Sequence, residues 1–138
     1  MYPEQIVLPM KEELTEQGFT ELLTAADVDN LMSKKGTALV MINSVCGCSA
    51  GTARPGTILA VQQSTVKPDY ITTTFAGFDM AAVQKVREYM QPYPPSSPSI
   101  ALFKDGQLVH MIERHLIEGR SAQMIAENLK GAFETYCN

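Results

Sequence analysis

Two cysteines separated by one glycine, Cys46-Gly47-Cys48, are the residues of this 138-residue chain whose types and spacing best support chemistry. An apolar run, Thr37 to Ile42, precedes them, and small residues that can begin a helix follow. A thiol at a helix entrance meets free backbone N–H groups and the positive end of the helix dipole, and both favour the thiolate. Because the thiolate is the form that attacks disulfides, the pattern predicts a redox site with Cys46 as its nucleophile.

The one-residue spacing predicts an unusual disulfide. A disulfide needs its two Cα atoms about 4.4–6.8 Å apart, which residues two apart in sequence reach only where the backbone folds sharply. Gly47 permits such a fold because it has no Cβ. We therefore expect a Cys46–Cys48 bridge that forms with strain, and strained bridges are the labile, catalytic kind. The alternatives are that these are two small buried apolar side chains, or half of a metal site.

Composition narrows the classes of partner and compartment. Eleven Lys and Arg against fifteen Asp and Glu give a formal net charge of −4, with no basic stripe that could follow a phosphate backbone. Three cysteines cannot form a disulfide framework, and the N-terminal residues lack an apolar signal core, so we expect a reducing, cytoplasmic location. No apolar run approaches the roughly 20 residues of a membrane helix. Nucleic acid and membrane are therefore not expected partners.

The elements that must position the cysteines alternate along the chain. Apolar periodicity and capping signals predict five helices: Pro9–Gln17, Thr24 to Gly36, Ser49–Gln63, Asp79 to about Met90, and one from Ser121 onward. Asp27 would complete a capping box with Thr24, and Pro55 is expected to bend the third helix. β-branched and aromatic runs predict strands at Phe19–Leu23, Thr37–Ile42, Tyr70–Phe75, and a hairpin of Ile100–Phe103 and Leu108–Ile112 about an Asp-Gly turn.

This order predicts a single α/β domain over 1–138. Residues 1–36 form an N-terminal helical extension and first helices, and 37–138 form a redox core with a central mixed sheet flanked by helices. The apolar faces of the last two helices are expected in the core. Their members are Met80, Val83, Val86 and Met90, and then Met124, Ile125, Leu129, Ala132, Phe133 and Tyr136.

The dithiol after the first central strand matches the thioredoxin-like pattern, and Ser97-Pro98 stands where that fold has its cis-proline. More closely, the chain from about Pro9 to Phe133 resembles the bacilliredoxin family, whose members carry a Cys-Gly-Cys motif. The segments that carry the resemblance are Asn43-Ser44-Val45-Cys46-Gly47-Cys48, Ala53-Arg54-Pro55-Gly56, Tyr93-Pro94-Pro95-Ser96-Ser97-Pro98-Ser99-Ile100 and Glu113-Arg114-His115-Leu116-Ile117-Glu118-Gly119-Arg120.

The resemblance implies a cytosolic thiol–disulfide oxidoreductase that removes the small thiol bacillithiol from protein cysteines. It implies Cys46 as the attacking thiol and Cys48 as the resolving thiol, with bacillithiol as co-substrate, no bound cofactor, and S-thiolated proteins as clients. The residues by themselves support a thiolate nucleophile with a second thiol nearby. They also support a strand led by Pro98 that could present backbone groups to an extended disulfide substrate.

Several further residues are candidates for shaping the site. We expect the Ser97-Pro98 peptide bond to be cis and to face Cys46. Arg54 and Arg120 could attract the carboxylates of an acidic small thiol. The alternative for both is a solvated arginine or an ion pair with a helix carboxylate.

The histidines and the third cysteine are weaker candidates. His110 and His115 are five residues apart on or beside one strand, an odd separation that sends side chains to opposite faces, so no shared metal site is expected. His115 could lie near the dithiol through its motif, and its alternative is a surface position. Cys137 lies at the C-terminus, where chains commonly fray, and is expected to be non-catalytic.

Two other functions remain open from the sequence. The same cysteines could serve a general protein disulfide isomerase or reductase that does not depend on bacillithiol. Alternatively, Cys46 and Cys48 could be soft ligands for a metal or an iron–sulfur cluster in a carrier protein, for example with four sulfurs supplied by a dimer.

Overall fold

A five-stranded mixed sheet lies at the centre of the molecule, and the computed structural model describes residues 1–137. The strands are β1 (Thr20–Glu21), β2 (Thr37–Asn43), β3 (Tyr70–Phe75), β4 (Ser99–Lys104) and β5 (Gln107–Ile112), in the spatial order β1-β3-β2-β4-β5. β1 and β2 run parallel to β3, whereas β4 is antiparallel to both β2 and β5. All seven residues of the central β2 are buried, as its apolar run predicted.

Five α-helices cover both faces of this sheet. They are α1 (Glu4–Thr15), α2 (Ala25–Ser33), α3 (Arg54–Gln63), α4 (Met80–Tyr89) and α5 (Ala122–Tyr136). On one face, side chains of α1, α3 and α5 pack against Leu39 and Met41 of β2. On the other face, α2 and α4 pack against Val40 and Ile42. The predicted α/β architecture of a mixed sheet flanked by helices is confirmed.

The strand register brings three chain segments to one edge of the sheet. Ile42, near the end of β2, pairs with Ser99 at the start of β4. Ile100 of β4 pairs with Ile112 at the end of β5. The turn after β2, the Ser97-Pro98 segment before β4 and the segment after β5 therefore lie side by side. These are the segments that carry the cysteines, the proline and the Glu113–Arg120 motif.

Helix α1 begins earlier than the sequence suggested, at Glu4, and passes through Pro9. The expectation that Pro9 would start the helix was wrong. Val7, Lys11 and Leu14 are buried at helical spacing, so the packed face of the helix extends to both sides of the proline. Packing of that face outweighs the single backbone hydrogen bond that an interior proline removes.

The helical segment after the cysteines changes type where a bend at Pro55 was expected. Ser49–Ala53 form a short π-helical segment, and α3 follows directly from Arg54. Pro55, which has no N–H to donate, is the second residue of α3 and lies where the π-helical segment passes into the α-helix. π-helical turns occur frequently at functional sites.

Two methionines expected in the core are on the surface. Met80 is 61% exposed and Met124 is 53% exposed, whereas Val83, Val86 and Ile125 are buried. Each methionine lies in the first turn of its helix, at the margin of the buried face. The period of the apolar residues predicts which face of a helix a residue lies on. How much of that face is buried depends on the length of the element that packs against it.

Most local capping and turn signals are confirmed. Thr24 and Asp27 form the predicted capping box, and the Ser121 side chain accepts the N–H of Met124. Asp79 occupies the N-cap of α4 without capping it, because its carboxylate accepts the N–H of Phe75 and the ammonium of Lys11. No helix in the described part of the chain is long and apolar enough to cross a membrane.

Candidate active site

The two cysteines lie in the turn between β2 and the π-helical segment. The N–H groups of Ser49 and Ala50 donate to the Cys46 carbonyl at 2.9 and 3.3 Å, which makes Cys46 the entrance of the helix. Both cysteines are free thiols, each partly exposed. Their sulfurs are 2.6 Å apart. The structure therefore shows a reduced dithiol in which either sulfur can reach the other.

Arg114, from the segment after β5, lies over the nucleophile. Its Nη2 is 3.2 Å from Cys46 Sγ, and its Nη1 donates to the Ser97 carbonyl at 3.3 Å. Its Nε donates to Glu118 Oε1 at 3.1 Å. The guanidinium thus connects the cysteine turn with the segment before β4, and Glu118 holds it from the solvent side.

These contacts push the pKa values of the two thiols in opposite directions. The pKa of Cys46 lies below its usual value, first because the Cys48 thiol donates to it, and then through the Cys48 N–H, the charge of Arg114 and the Ser49 N–H. The pKa of Cys48 lies above its usual value because of burial, and because it donates to and lies beside the Cys46 thiolate. Cys46 is accordingly the more acidic thiol of the pair, and Cys48 is the one that keeps its proton to higher pH.

A buried polar network fixes the backbone beneath the dithiol. Asn43 Oδ1 accepts hydrogen bonds from the Ser44 N–H, Ser49 Oγ and Arg54 Nη1 at 2.9, 3.0 and 2.9 Å. Arg54 Nη1 also donates to the Ser44 carbonyl, and Ser44 Oγ accepts the Cys46 N–H. Because each group is anchored to the end of β2, the network holds the cysteine turn against the sheet.

Arg54 lies beneath the site, out of reach of a substrate carboxylate. It is 2% exposed, and its Nε forms an ion pair with Glu13 Oε2 of α1 at 2.9 Å. The alternative considered from the sequence, an ion pair with a helix carboxylate, is therefore the one that the geometry supports. Arg120 is exposed, and its backbone carbonyl accepts Thr52 Oγ1.

The Ser97–Pro98 peptide bond is cis, and so is Gln91–Pro92. Pro98 is buried, whereas Ser97 is partly exposed. Through the Ser97 carbonyl, which accepts from Arg114, this segment lies across the site from Cys46.

In the dithiol form, the surroundings of position 47 do not require a glycine. Its φ is outside the left-handed region, and a Cβ built on it would have no atom within 4 Å. The role that we attributed to Gly47 in the disulfide form therefore stays a prediction.

The two histidines are not brought together with the dithiol. His110 pairs with Asn128 Oδ1 through Nε2 at 2.6 Å on the outer strand β5. His115 is exposed in a 3₁₀ turn, Arg114–Leu116, and among the contacts described for residues 1–137 none joins its ring to either cysteine. Within the same residues, no cluster of three or more His, Cys, Asp or Glu side chains could hold a metal ion.

Cys137 lies at the opposite edge of the sheet. It ends α5, where its N–H donates to the Phe133 carbonyl, and its thiol neighbours Thr37 at the start of β2. Burial raises the pKa of the Cys137 thiol. Since β2 separates Thr37 from the cysteine turn, this thiol is remote from the other two.

Sequence reasoning missed two residues of the site. Arg114 lies within a motif that carried the family resemblance, yet its charge could not be placed at the dithiol without the pairing of β4 with β5. Asn43 lies in another of those motifs, and the sequence assigned it no role. A polar residue at the last position of a fully buried strand is the signal that could have marked it as a structural centre.

Comparisons with known proteins agree with this geometry. The model of a family described as disulphide isomerase matches residues 2–137. A protein of Cytophaga hutchinsonii named bacilliredoxin is 59% identical over 134 residues, which cover 97% of this chain and 98% of the relative. A bacilliredoxin of Bacillus licheniformis is 50% identical over 137 residues, covering 99% of this chain and 95% of the relative.

Solved structures of similar fold include thioredoxins. A mutant thioredoxin from Halobacterium salinarum superposes with a TM-score of 0.60 at 15% identity, covering 88% of this chain and 93% of that one. Oxidised mitochondrial thioredoxin 3 from Saccharomyces cerevisiae gives 0.58 at 17% identity, covering 89% and 98%. The fold of this chain is therefore thioredoxin-like.

Proposed function

This chain belongs to the bacilliredoxin family of thiol–disulfide oxidoreductases, and from that premise we propose that it removes bacillithiol from S-thiolated client proteins. The observation that carries the proposal is the asymmetry of the dithiol. The Cys46 sulfur lies 3.2 Å from Arg114 Nη2 and has a lowered pKa, whereas the pKa of Cys48 is raised. One sulfur is prepared to attack, and the other to act second.

In the first step, the Cys46 thiolate attacks the small-thiol sulfur of the client's mixed disulfide. A bond forms between Cys46 Sγ and that sulfur, and the bond to the client sulfur breaks. The client leaves as a thiolate and takes a proton from water, so its cysteine has been reduced. Cys46 is now half of a new mixed disulfide and no longer carries a charge.

That loss of charge prepares the second step. Two of the causes that raise the pKa of Cys48, its hydrogen bond to Cys46 and the charge of Cys46, disappear when the adduct forms. Cys48 then loses its proton to solvent more readily and attacks Cys46 Sγ. The small thiol departs, and the Cys46–Cys48 disulfide forms.

Regeneration requires two electrons from an external thiol reductant, which returns the disulfide to the dithiol. Because residues two apart close a very small ring, we expect the intramolecular disulfide to be strained and its closure slow. A second molecule of small thiol then competes with Cys48 to clear the adduct from Cys46.

The proposal is tested by intact mass after one equivalent of a bacillithiolated client is added to each variant. Cys46→Ser should accept nothing, whereas Cys48→Ser should accept one equivalent and hold it at Cys46. Cys137→Ser, the matched thiol removal at the far edge of the sheet, should behave as the parent. An adduct on Cys46→Ser with none on Cys48→Ser would reverse the two roles.

Specificity for the small thiol needs a separate measurement. Reduced protein is mixed with bacillithiol disulfide and, in parallel, with glutathione disulfide. Faster adduct formation with bacillithiol disulfide is expected. Equal rates would remove bacillithiol from the proposal and leave a thiol–disulfide oxidoreductase of broader substrate range.

A second candidate function is reduction or isomerisation of protein disulfides by the same cysteines. It is favoured by the description of the matching family model, disulphide isomerase. Competition between an internal protein disulfide and the bacillithiolated form of the same client separates the two. Preference for the internal disulfide would support the second function.

A further inference from the structure

We infer that Arg114 selects small thiols that carry a carboxylate, because its ion pair can pass from the Cys46 thiolate to that carboxylate once the mixed disulfide has formed. The inference rests on the proposed function, since it concerns the small thiol that Cys46 accepts. It assigns Arg114 a specificity role in addition to its effect on Cys46.

The guanidinium is held in place by contacts that do not depend on the charge of Cys46. Nε pairs with Glu118, and Nη1 donates to the Ser97 carbonyl. The third contact, from Nη2 to Cys46 Sγ, is the one that the reaction changes. Attack converts the thiolate into a neutral disulfide sulfur, so Nη2 loses its anion while the other two contacts keep it aimed at the site.

The place that the Cys46 thiolate charge occupied is next to the incoming small thiol. Cys46 Sγ is 3.2 Å from Nη2, and in the adduct it is bonded directly to the sulfur of the small thiol. A carboxylate of the small thiol that lies close to that sulfur can therefore reach the guanidinium. Arginine prefers such an acceptor, since its planar N–H groups match the two oxygens of a carboxylate.

Arg114 is the arginine whose guanidinium contacts Cys46 Sγ, whereas no contact between the Arg120 side chain and Cys46 is described within residues 1–137. Arg54, the arginine beneath the turn, is buried and already paired with Glu13. Glu118 competes for Arg114, but its side chain is 54% exposed and it contacts only Nε. The side chain of Arg114 is 44% exposed, so an incoming carboxylate can approach it from the solvent, and the gain is that of a solvent-exposed ion pair.

An isosteric pair of adducts tests the inference. One client peptide is S-thiolated with 3-mercaptopropionate and, separately, with 3-mercaptopropionamide, and transfer to Cys46 is followed by mass in the Cys48→Ser background. The client leaving group is the same in both reactions. The carboxylate form should react about 2–5-fold faster, the size expected of an exposed ion pair, and high salt should reduce the ratio.

Variants identify the residue responsible. Arg114→Gln should bring the ratio of the two rates to about one, and Arg114→Lys should keep part of it. Arg114→Gln also slows both reactions, because it raises the pKa of Cys46 and so leaves less thiolate. That effect cancels in a ratio of two rates measured with the same variant. Lys35→Gln removes the same charge from an exposed turn before β2, at the opposite edge of the sheet, and should retain the parent ratio.

Each outcome separates this inference from the function on which it rests. If both adducts transfer at equal rates in the parent, or if Arg114→Gln keeps the preference, Arg114 has no role in selection although the proposed transfer stands. If Lys35→Gln loses the preference as well, net charge is responsible and the assignment is wrong. If neither group moves to Cys46, the proposed function fails and this inference fails with it.

Discussion

At the Cys46 sulfur, a thiol, two backbone N–H groups and a guanidinium favour the same negative charge. The helix entrance was expected to supply the backbone contribution. The Cys48 thiol and Arg114 add contributions that depend on single side chains. The reactivity of Cys46 is therefore open to change by substitution at either position, without alteration of the helix.

Alkylation of Cys46 by iodoacetamide should show an inflection at a pH below that of an unperturbed cysteine. Only the thiolate reacts, so a lowered pKa means more thiolate, and faster reaction, at neutral pH. Arg114→Gln and Cys48→Ala should each move the inflection to higher pH, because each removes a group that stabilises the thiolate. Mass mapping at Cys46 in the Cys137→Ser background supplies the rate against pH.

Two results would contradict this account. An inflection at or above the value of a short cysteine peptide would show that the pKa of Cys46 is not lowered. An inflection unchanged in both variants would leave the helix entrance as the sole cause.

Among the helices, α3 and α5 form the contact on which the support of the site depends. α3 continues the helical segment that begins at Cys46, and Gly56 in its first turn lies against α5. A Cβ at position 56 would be 2.7 Å from Ile125 Cβ and 2.9 Å from the Ala122 carbonyl oxygen. Glycine is required here by the close approach of the two helices.

Gly56→Ala should destabilise the protein by about 1–3 kcal/mol, the usual cost of overpacking a core. Gly131 supplies the matched control, since it lies within α5 and a Cβ there would contact nothing within 4 Å. Gly131→Ala should stabilise by about 0.5–1 kcal/mol because alanine is the better helix former. Urea unfolding measures both. A neutral Gly56→Ala would mean that α5 can shift to admit the methyl group.

Over the whole molecule, Lys11 joins the N-terminal helix to the rest of the domain. Its Nζ is 3.0 Å from Glu21 of β1 and 3.0 Å from Asp79 before α4, and it lies over the Phe78 ring at 4.8 Å from the ring centre. Lys11 and Asp79 are both buried. The N-terminal residues described as an extension are therefore built into the domain by a buried ion cluster.

Lys11→Met should lower the free energy of unfolding by about 2–4 kcal/mol, because two carboxylates lose their cation and one of them is buried. Adding Asp79→Asn should recover part of the loss, since the buried charge is then removed as well. Lys85→Met removes a more exposed ammonium, 3.8 Å from Asp29 and 3.6 Å from Glu88. It should cost under about 1 kcal/mol.

Urea unfolding of the four proteins provides the comparison. Equal losses for Lys11→Met and Lys85→Met would show that burial adds nothing to the Lys11 cluster. A double variant less stable than Lys11→Met would show that the hydrogen bond from the Phe75 N–H to Asp79, in the turn between β3 and α4, stabilises the protein more than the unpaired Asp79 charge costs.

The sequence by itself determined the features that depend on neighbouring residues. The buried run of β2 followed by Cys46-Gly47-Cys48, the Thr24 and Ser121 caps and the hairpin turn are all local patterns. Backbone geometry, capping hydrogen bonds and apolar periodicity act over a few residues, so the printed order of residues is enough to predict them.

Only the tertiary structure decided which distant side chains meet. Arg114 reaches Cys46 across 68 positions because β4 pairs with both β2 and β5. Arg54 is buried with its Nη1 donating to Asn43 and its guanidinium in an ion pair with Glu13. These two arginines, each part of a motif in the sequence, thus have opposite environments. Charge and residue type are local properties, but burial and electrostatic partners depend on strand register and helix packing, which no short segment contains.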